Sequence, residues 1–171
     1  MNEALNAIMS RRSIRKYEQR VVEPDQIEVL LRAAVAAPSA GNQQPWRFVV
    51  VTRRERLDAL SKTSKYAGLL ERSPLAIVVC GKTTGEKHPG YCVEDCSAAM
   101  ENLLLAAHAI GLGGVWLGYY PNEERETAAS DLLKLPTTFH VLGIASIGFP
   151  AEEKPPSERY DPAFVRFESW D

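Results

Sequence analysis

The stretch from Glu94 to Ile110 constrains the fold more than any other, because from Ala98 onward it is a helix-length run that is apolar nearly all the way round. Ala98, Ala99, Met100, Leu103, Leu104, Leu105, Ala106, Ala107, Ala109 and Ile110 make it apolar nearly all round, where a surface helix would carry a single apolar stripe. Such a helix has to be buried, at the centre of the molecule or against another subunit. Gly111-Leu112-Gly113-Gly114 ends it, since glycine takes positive φ at a helix C-terminus at little cost.

The remaining elements must cover that helix. Asn2 to Ser10 has Ala4, Leu5, Ile8 and Met9 on one side and predicts a short helix. Pro24 suits the first turn of a second, with Ile27, Leu30, Leu31, Ala34 and Val35 as its stripe. Arg53 to Ser61 and Glu123 to Leu133 predict two more surface helices. Strands are expected at Arg47 to Thr52, Leu75 to Cys80, Val115 to Gly118 and His140 to Ile147. Leu75 to Cys80 is apolar without interruption, the pattern of a strand buried on both faces. Helices interleaved with strands imply an α/β or α+β domain with one central sheet, spanning residues 1–171. Beyond Pro150 periodicity is lost, then Ala163 to Phe167 and Trp170 restore apolar character. A tail with aromatic anchors packs on something, and a partner subunit is a natural place.

With 171 residues, 45% of them hydrophobic and a net charge of −2, the chain is an ordinary globular one. That charge argues against bulk electrostatic binding to nucleic acid or to a membrane surface. Any anion site must be a local basic cluster. No apolar run approaches the roughly 20 residues that span a bilayer, and Met1 to Leu5 has neither the charge nor the apolar core of a secretory signal. The expected compartment is the cytoplasm. Cys80, Cys92 and Cys96 are an odd set for a disulfide framework. Cys92, Cys96 and His88 fall short of the four ligands of a closed zinc site, so the thiols are read as packing groups and no metal is expected.

Two segments carry chemistry. Arg11, Arg12, Arg15, Lys16 and Arg20 put five basic residues within ten positions, with Ser13 among them. The arginine fork matches phosphate oxygens in pairs, and a hydroxyl adds a donor; the bland alternative is a solvated charge run. The second is Pro38-Ser39-Ala40-Gly41-Asn42-Gln43-Gln44-Pro45-Trp46. It lies between a predicted helix and a predicted strand, where small residues admit a flat ring and amides can bond its polar edge.

Together, Arg11-Arg12-Ser13-Ile14-Arg15 and, about twenty-five residues on, Pro38 to Trp46 resemble the signature elements of the flavin-dependent nitroreductase family. The Ala98 to Gly113 helix with its Val115-Trp116-Leu117-Gly118 strand and the Gly148-Phe149-Pro150 turn before Lys154 to Arg159 are similar too, so the resemblance covers nearly the whole chain. It implies an α+β fold of three layers, α/β/α, with a central, mostly antiparallel sheet and a C-terminal tail reaching onto the partner subunit. It implies FMN as cofactor, NADH or NADPH as reductant, and a homodimer with flavin sites at the interface. A small nitroaromatic, quinone or similar molecule would be the electron acceptor. By the same resemblance Arg11 and Ser13 meet the phosphate, Arg12 lies along the ribityl region and Arg15 reaches the ribityl chain or the pyrimidine edge. Pro38, Ser39, Ala40 and Asn42 face the ring held by the other subunit. Gly113 and Gly114 bring backbone close to the ring, and Arg159 closes on the phosphate. Thr63 to Gly68 lacks the asparagine that the family often places at the pyrimidine edge. A flavin-dependent oxidation, a flavin-modifying reaction and a non-enzymatic flavin-binding module remain open on the same fold.

Overall fold

The computed structural model describes residues 2–170. Helix α1, Glu3–Ser10, starts where Asn2 Oδ1 accepts from the Leu5 amide at 2.9 Å. Helix α2, Pro24–Val35, begins with a capping box in which the side chains of Glu23 and Gln26 take up each other's free amides. Strand β1, Trp46–Val51, then leads through helix α3, Arg54–Leu60, to strand β2, Leu75–Lys82. Helix α4, Cys92–Ala109, is followed by strand β3, Gly113–Gly118, helix α5, Glu123–Leu133, and strand β4, Phe139–Gly148. Gly111, with φ of 81°, makes the turn out of α4, as the sequence predicts. The long helix starts at Cys92, two residues before the predicted Glu94, and β3 takes in both glycines before Val115. Two short 3₁₀ turns, Ala40–Asn42 and Gly68–Glu71, were not visible in the sequence pattern.

The four strands form one sheet in the order β1-β2-β4-β3, and every neighbouring pair is antiparallel. Alternation along β2 explains the layers. Leu75, Ile77 and Val79 point to a core shared with Leu30 and Ala34 of α2 and with Met100, Leu103 and Leu104 of α4. Ala76, Val78 and Cys80 point the other way, to Leu57 and Leu60 of α3 and Ala129 of α5. Both faces are covered, which is why this strand is apolar throughout although the sheet is antiparallel. A register shift at Val79/Cys80 lets Leu142 and Ile144 of β4, two residues apart, serve opposite cores.

α4 is buried along only part of its circumference: Leu103 and Ala107 are sealed, while Ala98, Leu105 and Ile110 remain half-open and Ala109 exposed. The tail after Pro150 has no regular structure except a 3₁₀ turn at Pro162–Phe164. Tyr160, Phe164, Phe167 and Trp170 in the tail and Leu5, Ile8 and Met9 in α1 are exposed. No helix among the described residues is long and apolar enough to cross a membrane.

Candidate cofactor site

The arginine segment is held as an extra, short strand. Ser13 bridges in parallel to Gly114 at the start of β3, and the Ile14 amide donates to the Gly114 carbonyl at 3.0 Å. On its other side the chain after β4 runs back along it: Glu18 N donates to Phe149 O, and Ala151 N to Lys16 O, each at 2.9 Å. Gly113 permits the approach, since a Cβ there would stand 2.8 Å from the Ile14 side chain. The glycine pair that the resemblance assigns to the ring thus also fits the arginine segment to the sheet.

Tyr17 anchors the end of the segment. Its hydroxyl is buried 2.8 Å from the Ile14 carbonyl and 2.9 Å from the Ser146 carbonyl, and accepts from Ser146 Oγ at 3.1 Å. Burial holds the phenol well above its ordinary pKa, against a smaller opposing effect of Ser146. Glu152 fixes the start of the tail by accepting from the backbone amides of Arg15, at 2.6 Å, and Lys16, at 3.2 Å. Those bonds, the Arg15 amide first, hold its carboxyl below the usual range, with Lys154 assisting. Lys154 Nζ donates to the Ser13 carbonyl at 2.6 Å, and Arg12 Nη1 to the Pro155 carbonyl.

Among these groups Arg11 and Arg159 line one cavity of about 340 Å³, with Ile8 and Met9 of α1 as its apolar wall. Arg11 Nε pairs with Glu101 of α4 at 3.1 Å. Among the described residues its terminal nitrogens, the Arg15 guanidinium and the Ser13 hydroxyl make no hydrogen bond within the chain. Arg159 is tied only through Nε, to Ser157 Oγ at 3.1 Å. The site therefore offers uncommitted cationic donors on a fixed backbone.

The amide-rich loop is built around one buried carboxylate. Asp95, in the first turn of α4 and only 5% exposed, accepts from Ala40 N and from Gln43 Nε2, each at 2.9 Å. Gln43 Oε1 in turn accepts from His88 N at 3.0 Å. Ser39 Oγ accepts from Gln44 N at 3.0 Å. Gly41, Asn42 and Gln44 have φ of 51°, 55° and 49°, so the loop closes through left-handed backbone. A Cβ on Gly41 would come within 2.0 Å of His88 Nε2. Asn42 is exposed at the turn.

Arg11, Arg12, Ser13, Arg15, Gly113, Gly114 and Arg159 thus gather at one place, and Pro38, Ser39, Ala40 and Asn42 at another. Both lie against α4, the loop at Asp95 and the arginine segment at Glu101 and, through Ser10 Oγ, 2.7 Å from His108 Nε2. No hydrogen bond or ion pair joins the two groups within the described residues. The sequence reading missed Asp95, Glu101, Glu152 and Gln43. One of them, Glu101, had a signal, as a carboxylate inside the apolar run of α4.

The model of the Nitroreductase family matches residues 8–67 and 56–149 of the chain. An Archaeoglobus fulgidus protein, provisionally named NADH dehydrogenase/NAD(P)H nitroreductase, is 44% identical over 174 residues, covering 99% of this chain and 100% of its own. A crystal structure of a protein from Bacteroides thetaiotaomicron with the same provisional name superposes with a TM-score of 0.95 at 37% identity, over 99% of each chain. An FMN-dependent nitroreductase from Clostridium difficile superposes at 0.91 with 31% identity, over 97% of this chain and 99% of its own. With both signature segments in place on this sheet and matches that run its whole length, the chain belongs to the nitroreductase family.

Proposed function

We propose that the chain is an FMN-dependent oxidoreductase that draws hydride from NADH or NADPH and reduces a small acceptor such as a nitroaromatic or a quinone. The observation that carries this reading is the convergence of Arg11 and Arg159 on one cavity, with the Ser13 hydroxyl, two residues along the same segment, making no hydrogen bond among the described residues. A phosphate group needs cations and donors without other partners, and these residues fit it. When bound, FMN supplies the two-electron carrier between reductant and acceptor. Arg11, Ser13 and Arg159 hold its phosphate, Arg12 the ribityl region, and Arg15 places a positive charge toward the pyrimidine edge. Gly113 and Gly114 admit the ring to the backbone.

The separation of the loop from the arginine segment supports a dimeric site, in which Pro38, Ser39, Ala40 and Asn42 of one chain face the ring bound by the other. The half-open face of α4, the exposed apolar residues of α1 and the aromatic tail provide the apolar area that a permanent dimer buries. One open pocket serving reductant and acceptor in turn gives ping-pong kinetics. The test is anaerobic mixing of the FMN-loaded protein with NADH and, separately, NADPH. Bleaching of the flavin absorbance, restored by a quinone or nitro compound with turnover, is expected. Failure of both nucleotides to bleach it would point to a binding module, and bleaching without turnover of any acceptor to another flavin reaction.

A further inference from the structure

The buried helix reaches the proposed phosphate site from behind. Glu101 and His108 stand two turns apart on α4, so they share one face and lie about 10.5 Å apart along its axis. They meet consecutive residues where α1 gives way to the arginine segment. His108 Nε2 lies 2.7 Å from Ser10 Oγ, whose own proton goes to the Asn6 carbonyl at 2.6 Å, so the imidazole is the donor to the serine. That bond fixes the chain just before Arg11. Glu101 Oε1 then accepts from Arg11 Nε at 3.1 Å. Among the described residues Arg11 is the one arginine of the site in an ion pair, since Arg12 bonds a carbonyl and Arg159 a hydroxyl.

Which edge of the guanidinium Glu101 takes decides what is left. Arginine has five N–H donors in a planar fork, one on Nε and two on each terminal nitrogen. The hydrogen bond to α4 uses Nε alone. Both terminal nitrogens stay available as a pair, the arrangement that matches two oxygens of a phosphate. A carboxylate that competed with the phosphate would engage those nitrogens instead. The Arg11 side chain is 22% exposed and that of Glu101 44%, so the pair contributes little to stability by itself. Its consequence is orientation: a long, flexible side chain is held with its fork turned outward.

Resting on the FMN site proposed above, we propose that Glu101 is a positioning residue for the cofactor phosphate, aiming the terminal nitrogens of Arg11 and acting on the ligand only through them. The test is fluorescence titration of the flavin-free protein with FMN and with riboflavin, which lacks the phosphate. Glu101→Ala should weaken FMN binding about 2- to 10-fold, the cost of ordering one long side chain on binding, and leave riboflavin binding unchanged. Glu101→Gln keeps an oxygen for Nε and should restore most of the loss. In an Arg11→Ala background Glu101→Ala should cost nothing more. Unchanged or tighter FMN binding in Glu101→Ala, an equal loss for riboflavin, or an additive loss in the double variant would overturn the assignment. The first would make the carboxylate idle or a repelling charge, the second a general packing group, and the third a group acting without Arg11. Unchanged FMN affinity in Arg11→Ala alone would instead remove the phosphate reading, and this inference with it.

Discussion

Asp95 gives the sharpest test of how the amide loop is held. Replacing it with alanine removes the acceptor for Ala40 N and for Gln43 Nε2, both at 2.9 Å. A buried donor left without a partner costs about 1–3 kcal/mol. Both donors sit at a half-buried loop where water can reach in part, so the low end of that range, about 1–1.5 kcal/mol, applies to each, for a total of about 2–3 kcal/mol. Asp95→Asn separates the two bonds. The asparagine oxygen can still accept from Ala40 N, but its amide then faces the Gln43 amide. Gln43 cannot turn over without losing the bond from His88 N to its Oε1. Asparagine should therefore cost about half as much, roughly 1–1.5 kcal/mol. For a domain of this length 1 kcal/mol moves Tm by about 2–4 °C. The expected shifts are thus about 4–12 °C for alanine and 2–6 °C for asparagine, read by thermal unfolding at one protein concentration and fixed FMN, since ligand and partner both raise Tm. Asp95→Ala within about 1 °C of the parent, or asparagine as damaging as alanine, would refute the two-bond account.

Further outcomes follow from neighbouring groups. Tyr17→Phe leaves the carbonyls of Ile14 and Ser146 short of a donor and should cost about 1–2 kcal/mol in urea unfolding, with weaker FMN binding because the arginine segment is less fixed. Gly41→Ala meets both the 51° φ and His88; a loss of about 1–3 kcal/mol is expected by the same assay, and none if His88 and the backbone simply yield. Glu152 has a lowered folded pKa, so the stability it adds is present above its unfolded value of 4.5 and lost as pH falls through the lower folded value. Its partners, the amides of Arg15 and Lys16, should lose hydrogen-exchange protection in that acid window, and in Glu152→Gln the dependence should vanish.

Much of the fold was legible because burial writes itself into residue type. The uninterrupted apolar run of β2 announces a strand covered on both faces, and α5 begins and ends where Asn122 and Pro136 punctuate the sequence. Periodicity did not reveal the turn at Ala40–Asn42, whose left-handed residues are Gly41 and Asn42, nor the strand-like pairing of Ser13 with Gly114, which depends on a partner about a hundred positions away. The arginine segment and the loop were visible as composition. What fixes them was not: Asp95, Glu101 and Glu152 act through contacts across 55, 90 and 137 positions, and no local pattern encodes that. Cys92 and Cys96 show the same limit, since nothing local to them announces that both sulfurs pack against Gly81.

The central claim is that the arginine segment holds the phosphate of FMN, and titration of apo-protein with FMN, followed by flavin fluorescence in the parent and in Arg11→Ala, tests it most directly. Loss of a charged, paired contact to the phosphate costs about 1.5–3 kcal/mol, or roughly 10- to 150-fold in Kd. The account expects that weakening with unfolding behaviour otherwise retained. FMN bound by Arg11→Ala as tightly as by the parent would contradict it.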